Sequence, residues 1–380
     1  MKKMGLKSYR FSVSWSRILP DGTEKINQKG IEFYQSLVRE LKAAGIEPMV
    51  TLYHWDLPYA LYLQGGWKNP QIPDWFAAYT KIVVEALSDQ VQYWMTLNEP
   101  QCFVGIGHLQ GRHAPFLDEP ASLRPVTRHV LLAHAKAVQT IRQYAKLPPK
   151  VGYAPTGPVF SPCGDESEAA IAEAYRRTME VEGCYSISWW CDPVLLGRVP
   201  EPMAKALGAD VFTPQELELL HQPLDYLGFN VYNACAAQQP GSEYTVNTWQ
   251  GSPRTAMEWP ITPDCIYWAI RFLNQRYGRP ILITENGMAN TDFVMLDGKV
   301  HDPQRIDYVH RHLLAARRAL QEGYPLIGYT YWSIMDNYEW AEGYSKRFGL
   351  IYVDYRTMER IPKDSAAWYA HVIATNGSEL

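Results

Sequence analysis

The sequence predicts an α/β protein whose parallel strands close into a barrel. Short apolar runs alternate along the chain with longer segments whose apolar residues recur at helical spacing. Repeated strand-then-helix units form a parallel sheet. A dinucleotide-binding open sheet would carry a Gly-x-Gly-x-x-Gly turn after an early strand, and Gly105-Ile106-Gly107 is too short to count. A (β/α)8 TIM barrel is therefore favoured.

The spacing of apolar residues, together with glycine and proline at segment ends, predicts the helices and strands. Gly45 and Gly323 end two amphipathic segments, while Pro73 and Asp74 lie in the first turn of a third. The predicted strands are residues 6–13, 48–53, 93–97, 150–154, 226–231, 280–284 and 326–331. The predicted helices are residues 30–44, 73–87, 123–145, 166–190, 265–277 and 303–322. These segments make seven recognisable βα units, one fewer than a closed barrel requires.

Composition narrows the classes of function. A length of 380 residues suits one large α/β barrel, and we expect a single domain over residues 1–380. A net charge of -4 offers no electrostatic footprint for nucleic acid or anionic membrane. No apolar stretch approaches the length of a membrane span, and no apolar core of a signal peptide follows Lys2 and Lys3. Six cysteines without CxxC spacing indicate reduced thiols, so we expect a cytoplasmic protein.

Two acidic motifs carry the strongest functional signal. TLNEP at residues 96–100 and ITENG at residues 283–287 each place one glutamate, Glu99 or Glu285, at the end of a strand-like run. A single glutamate there would more often cap a helix or pair with a buried arginine. Two with the same placement favour a chemical use, because a carboxylate costs desolvation and adds nothing to a core. In a (β/α)8 barrel, strand ends of this kind lie on the catalytic face.

Paired carboxylates of this kind suit glycosidic bond hydrolysis. One acid protonates the leaving oxygen, and a second carboxylate faces the developing oxocarbenium ion. If the two lie roughly 5 Å apart, the second bonds to the sugar and configuration is retained. The nucleophile needs a cation or several donors to stay ionised, whereas the acid needs apolar surroundings or a like charge.

Other predicted strand ends carry polar and aromatic side chains. A lone polar residue there is usually a loop cap, but several at the strand ends of one barrel favour a sugar pocket, whose faces stack on aromatic rings. These residues are His54, Asn230, Tyr232, Trp332 and Glu339 with Trp340. Arg10 lies inside the first predicted strand, where a guanidinium is costly unless it meets a carboxylate.

At these residues the chain resembles the β-glucosidases of glycoside hydrolase family 1. The resemblance runs over nearly the whole sequence and in the family's order. The matching motifs are YRFSVSWSRI (9–18), LYHWDLP (52–58), TLNEP (96–100), LGFNVY (227–232), ITENG (283–287), YWSIMDNYEW (331–340) and RFGL (347–350).

The resemblance implies a role for each matching residue. Glu99 would be the general acid/base and Glu285 the nucleophile, with Arg10 and Tyr232 bonding to Glu285. Asn230 would support the acid/base. The residues that would bind the non-reducing sugar are His54, Asn98, Trp332, Glu339, Trp340 and Phe348. We expect a small sugar substrate, no metal and no cofactor.

The resemblance also narrows the substrate. Relatives that cleave 6-phosphosugars replace the Glu-Trp pair of the last loop, whereas Glu339 and Trp340 are present here. Relatives that cleave thioglucosides lack the acid/base glutamate, whereas Glu99 is retained. We therefore expect cleavage of unphosphorylated O-glycosides, including the short glucans of cellulose degradation. Loops near Phe103, Trp249 and Trp259 are expected to set the preference for the leaving group.

One departure from the family concerns the first βα unit. Family members have a strand and helix ahead of the position of Met1, so we expect an N-terminally truncated, incomplete barrel with two unpaired strand edges. Three explanations stay open: a start assigned too late, a natural truncation, or a remnant with weak or no activity. We favour a folded homo-oligomer that covers the missing segment but binds sugar less well. The alternative function is a non-catalytic sugar-binding remnant.

Overall fold

Eleven strands and thirteen helices lie within residues 1–236 and 251–380, which are the residues that the computed structural model of the chain describes. The strands are β1 (Ser8–Ser12), β2 (Glu47–Tyr53), β3 (Tyr93–Asn98), β4 (Lys150–Ala154), β5 (Val159–Ser161), β6 (Leu227–Asn230), β7 (Ala234–Ala236), β8 (Ile281–Asn286), β9 (Leu326–Tyr331), β10 (Ile351–Val353) and β11 (Arg360–Pro362). The helices are α1 (Trp15–Ile18), α2 (Gln28–Ala43), α3 (Tyr59–Leu63), α4 (Ile72–Leu87), α5 (Pro100–Val104), α6 (Leu123–Tyr144), α7 (Glu168–Glu180), α8 (Ile187–Leu195), α9 (Glu201–Leu207), α10 (Pro214–Leu220), α11 (Cys265–Tyr277), α12 (Pro303–Gln321) and α13 (Asp364–Ala374).

The seven predicted strands are confirmed as β1, β2, β3, β4, β6, β8 and β9, with small shifts at their ends. The prediction of one helix over residues 166–190 is wrong, because the chain forms α7 and α8 with a break between them. Gly183 lies in that break at φ 78°, a conformation that ends a right-handed helix. The apolar period continued across the break, so the pattern alone did not reveal it.

The chain divides into two compact units. The N-terminal unit comprises Ser8–Gly157 and Met179–Phe229, and the C-terminal unit comprises Met1–Lys7, Pro158–Thr178 and Asn230–Leu380. The prediction of a single domain stays a prediction, as does the expectation that one βα unit of the barrel is missing.

In the N-terminal unit, β1 to β4 form a parallel sheet in chain order. The register pairs Arg10 with Met49 and Thr51 with Met95, so side chains of three neighbouring strands align across the sheet. β2 and β3 are buried over almost their full length, whereas every residue of β1, at the edge of this sheet, is partly exposed. Parallel strands covered on both faces read as continuous apolar runs, which is why β2 and β3 were predictable.

A buried aromatic group anchors the ends of two of these strands. The Tyr79 hydroxyl, on α4, lies 2.9 Å from the carbonyl oxygens of both Val13 and Leu52. Its ring stacks on Trp15, at a centroid separation of 5.0 Å. The helix therefore fixes the point at which β1 and β2 give way to the loops that carry polar side chains.

In the C-terminal unit, β8 and β9 form a parallel pair whose register joins Asn286 to Tyr331. The unit also contains two pairs of short strands. β5 and β7 pair in parallel, and β10 and β11 pair antiparallel. Three-residue strands are too short to give a periodic signal, so these pairs were not predicted. Helices α11 and α12 supply buried faces, including Trp268 and Tyr308.

Nowhere in residues 1–236 and 251–380 is there a helix with the length and apolar character needed to cross a membrane.

Replacing Gly152 should destabilise the N-terminal unit. A Cβ at this position of β4 would lie 2.2 Å from the ring of the buried Tyr226. Because the ring also donates its hydroxyl to the Trp94 carbonyl, it has little freedom to move. We expect Gly152→Ala to lower the free energy of unfolding by about 1–3 kcal/mol, as overpacked cores do. Urea unfolding followed by tryptophan fluorescence measures this change.

Lys150→Ala, at the exposed start of the same strand, serves as the control and should change that free energy by less than about 0.5 kcal/mol. An equal effect of the two substitutions would contradict the close approach of Gly152 and Tyr226.

Candidate active site

Glu99 lies immediately after β3, where the chain turns sharply out of the sheet. Its φ of 43° is left-handed, an uncommon and strained conformation for a residue other than glycine. Pro100 opens α5, and the residue before a proline is driven away from the right-handed helical region. The Glu99 amide donates to the Ala154 carbonyl at 2.8 Å, and the residue is only 7% exposed. The backbone thus holds this carboxylate at the edge of the β3–β4 pair.

Hydrogen bonds join three predicted site residues of the N-terminal unit, Arg10, His54 and Asn98. The Arg10 guanidinium donates to the Asn98 Oδ1 at 2.6 Å and to the Thr51 hydroxyl at 3.1 Å. Asn98 Nδ2 lies 3.1 Å from Nε2 of His54. These contacts bring together Arg10, from inside β1, and His54 and Asn98, from the ends of β2 and β3.

His54 is neutral in this arrangement. Burial, together with the nearby positive charge of Arg10, lowers its pKa to about 3. Since Asn98 uses Oδ1 to accept from Arg10, its Nδ2 donates, and His54 Nε2 is the acceptor. The proton of the imidazole is therefore on Nδ1.

Glu285 lies near the end of β8 and is 5% exposed. The Tyr232 hydroxyl donates to its Oε2 at 2.6 Å, the length of a hydrogen bond to an ionised acceptor. The Val231 amide donates to the Glu285 carbonyl at 3.0 Å, so backbone and side chain tie the same segment to β8. A buried carboxylate with a short phenolic donor is stabilised in its charged form.

Aromatic rings surround Tyr232. Its ring centroid lies 5.1 Å from that of Trp259 and 6.2 Å from that of Phe348. Phe348 was predicted to bind sugar, whereas the loop near Trp259 was expected to influence the choice of leaving group. Ring faces of this kind pack against the apolar faces of sugars.

Glu339 lies in the loop after β9. The amide of Asn337 donates to its Oε2 at 3.3 Å, and Trp332 donates to it as well. Burial, and secondarily the charge of Glu285, raises the pKa of Glu339 to about 7. Near neutral pH this carboxyl group therefore exchanges between acceptor and donor.

Two of the predicted supporting contacts stay predictions. Asn230 accepts from the Thr284 hydroxyl at 2.6 Å, and its link to the acid/base stays a prediction. So does the bond between Arg10 and Glu285. Phe103 itself is buried against Tyr53, and the expected influence of the loops near it on the leaving group stays a prediction. Trp249 lies outside the described residues.

Some contacts of the site had no sequence signal. The Trp55 indole donates to the Asn98 carbonyl at 3.0 Å, and Asn337 holds Glu339. Neither contact follows from spacing, because both lie in loops without a period. In the described residues, 1–236 and 251–380, no group of three His, Cys, Asp or Glu side chains is arranged to hold a metal ion.

In the N-terminal unit a buried carboxylate follows β3, and in the C-terminal unit another lies near the end of β8 with a phenolic donor beside it, so each is a candidate catalytic group of a hydrolase. The glycosyl hydrolase family 1 model matches residues 1–378. Among curated relatives, β-glucosidase A of Thermotoga maritima is 42% identical over 386 residues, which cover all of this chain and 85% of the relative. β-Glucosidase A of Acetivibrio thermocellus is 39% identical over 99% of this chain and 85% of the relative.

Solved structures give the same result. The chain superposes on the Thermotoga maritima β-glucosidase in complex with glucoimidazole with a TM-score of 0.89 and 41% identity, covering 99% of this chain and 85% of that one. The chain belongs to glycosyl hydrolase family 1. Its fold is that of a (β/α)8 barrel, and it is a glycosidase.

The raised pKa of Glu339 should make stability depend on pH. The folded carboxyl has a pKa of about 7, above its ordinary 4.5, so between these values the native state binds more protons than the unfolded state. Stability from this group is therefore lost as pH rises through that window, at up to about 1.4 kcal/mol per pH unit. We expect Glu339→Gln, which cannot ionise, to gain stability relative to the wild type between pH 5 and pH 8. Urea unfolding at a series of pH values measures it.

The exposed Glu359→Gln is the control and should leave the pH dependence unchanged. Parallel stability curves for the wild type and Glu339→Gln would contradict the raised pKa of Glu339.

Proposed function

We propose that the protein is a retaining β-glucosidase in which Glu285 is the nucleophile and Glu99 the general acid/base. The observation that carries the proposal is the 2.6 Å hydrogen bond from Tyr232 to the buried Glu285. A nucleophilic carboxylate has to stay ionised in a site that excludes water, and a phenol that donates to it lowers the cost of that charge. When one Glu285 oxygen bonds to the sugar, the carboxylate loses its charge. The Tyr232 hydroxyl can then keep a hydrogen bond to the other Glu285 oxygen.

In the first step, a Glu285 oxygen attacks the anomeric carbon and the bond from that carbon to the leaving oxygen breaks. The proton of Glu99 passes to the leaving oxygen, so the alcohol departs neutral and Glu99 becomes a carboxylate. In the second step, Glu99 takes a proton from water, whose oxygen attacks the anomeric carbon from the face that the alcohol left. The Glu285 ester bond breaks, and two inversions give net retention.

The proposed substrate is a terminal, non-reducing β-D-glucosyl residue of a β-glucoside or a short glucan. His54 and Asn98 would donate to sugar hydroxyls, and Glu339 would bind a pair of hydroxyls of the same ring. Names of relatives support this substrate class, since one from Thermotoga neapolitana is a 1,4-β-D-glucan glucohydrolase, 41% identical over 99% of this chain. A carboxyl group at Glu339 disfavours a phosphorylated sugar by charge repulsion.

Replacing Glu285 separates the nucleophile from a binding role. We expect Glu285→Ala to reduce turnover of an aryl β-glucoside by at least about 10⁴-fold, because the covalent intermediate cannot form. Added azide should restore part of the turnover and give the α-glucosyl azide, since it attacks from the side where the carboxylate lay. Nitrophenol release and NMR of the product measure both effects. Turnover that persists undiminished without azide would refute the assignment.

Replacing Glu99 should give the opposite stereochemistry. We expect Glu99→Ala to slow cleavage of alkyl β-glucosides by about 10²–10⁴-fold, because the leaving alcohol needs a proton. A dinitrophenyl glucoside, whose leaving group needs none, should still form the glycosyl ester. Azide should then yield the β-glucosyl azide. Equal losses for good and poor leaving groups would contradict the acid/base role.

A further inference from the structure

A network of six charged side chains is buried in the C-terminal unit. Its carboxylates and cations are equal in number, and all but Arg347 have side chains no more than 1% exposed. The network consists of Asp292, Asp302, Asp336, Arg305, Arg347 and Lys363. Buried ion pairs rarely add net stability compared with apolar residues, because desolvation offsets their attraction. A role other than stability is therefore needed to explain why these six charged side chains are buried together.

Lys363 lies at the centre of the network. Its Nζ donates to Asp292 Oδ2 at 2.6 Å and to Asp336 Oδ1 at 2.8 Å. Arg305 donates to Asp292 at 2.6 Å and pairs with Asp302. Lys363 thus links the segment after β8 to the loop after β9, and Arg305 joins the start of α12 to the same segment after β8.

Asp336 connects the network to the segment that carries Phe348. Its carboxylate accepts from Lys363, from Arg347 at 2.6 Å, and from the Gly349 amide at 3.0 Å. The two backbones approach so closely that a Cβ on Gly349 would lie 2.1 Å from the Asp336 amide nitrogen. Asp336 therefore fixes the loop after β9 against the residue that follows Phe348.

The same loop carries the side chains assigned to sugar binding. Asp336 lies between Trp332 and Glu339 in sequence, and the Phe348 carbonyl accepts from the Tyr331 hydroxyl at 2.8 Å. Lys363 itself is only 1% exposed, so a sugar cannot reach it. Any effect of Lys363 on sugar binding has to pass through these neighbours.

We propose that Lys363 and Asp336 are positioning residues that fix Glu339 and Phe348 for the glucosyl unit. The inference rests on the proposed function. It adds the residues that set the affinity for the non-reducing sugar. Misplacement by even 1 Å of a group that binds the substrate has large kinetic effects. Loss of the Lys363 ammonium would leave Asp336 with fewer donors and let the loop move.

A double-mutant cycle tests the proposal. We expect Lys363→Met to raise KM for an aryl β-glucoside about tenfold, with a smaller change in kcat, because contacts coupled through a network lose binding together. In the Glu339→Gln background the same substitution should raise KM less than about twofold. Titration with a 2-fluoroglucoside that traps the ester corrects for the active fraction, so loss of folded protein does not imitate the effect.

The controls separate position from fold. Lys299→Met makes the same change at an exposed lysine of the same unit and should leave KM unaltered. Asp336→Asn, which keeps the volume and removes the charge, should reproduce the result if Lys363→Met folds poorly. Calorimetric binding of deoxynojirimycin gives a readout that needs no turnover, with affinity expected to fall by the same factor.

Two results would overturn the proposal: an unchanged KM in folded Lys363→Met and Asp336→Asn, or the same factor in both Glu339 backgrounds. A wild type that binds deoxynojirimycin but does not cleave glucosides would refute the proposed function instead. The binding cycle would then still decide whether Lys363 positions Glu339.

Discussion

Burial of carboxylates is the constraint on which the organisation of both units depends. Glu99 and Glu285 are more than nine-tenths buried, and a carboxylate in such a place is stable only if donors or backbone geometry compensate it. For Glu285 the short bond from Tyr232 provides the compensation. Tyr232 is in turn held by the Tyr308 hydroxyl, which donates to its carbonyl at 2.7 Å. The hydrogen bonds that stabilise the Glu285 carboxylate thus extend through Tyr232 to Tyr308 on α12.

Carboxyl groups that are close in sequence differ in the hydrogen-bond donors and charges around them. Asp336 has two cations and backbone amides around it, whereas Glu339 has a carboxamide, an indole and the repulsion of Glu285. The first is a structural link between segments, whereas the pKa of the second is raised to about 7. Only two residues lie between them in sequence, so the partners of each carboxyl group decide what it does.

Most of the fold was predictable because its signals are local. The burial of β2 and β3 on both faces produces continuous apolar runs, and the motifs around Glu99 and Glu285 mark the strand ends. The break at Gly183 was missed because apolar residues continue on both sides of it and α8 is buried along its whole length. The partners of Lys363 lie 27 and 71 positions away in loops without a repeat. Only the three-dimensional arrangement brings such charges together.

The neutral state of His54 has a consequence for metal ions. Its Nε2 lone pair already accepts from the Asn98 amide, and its remaining ring nitrogen carries the proton. An imidazole binds a transition metal only through a free lone pair. Copper or zinc ions would have to displace the Asn98 amide and break its link to Arg10 before they could bind here. The asparagine thus competes with a metal ion for the lone pair of the histidine.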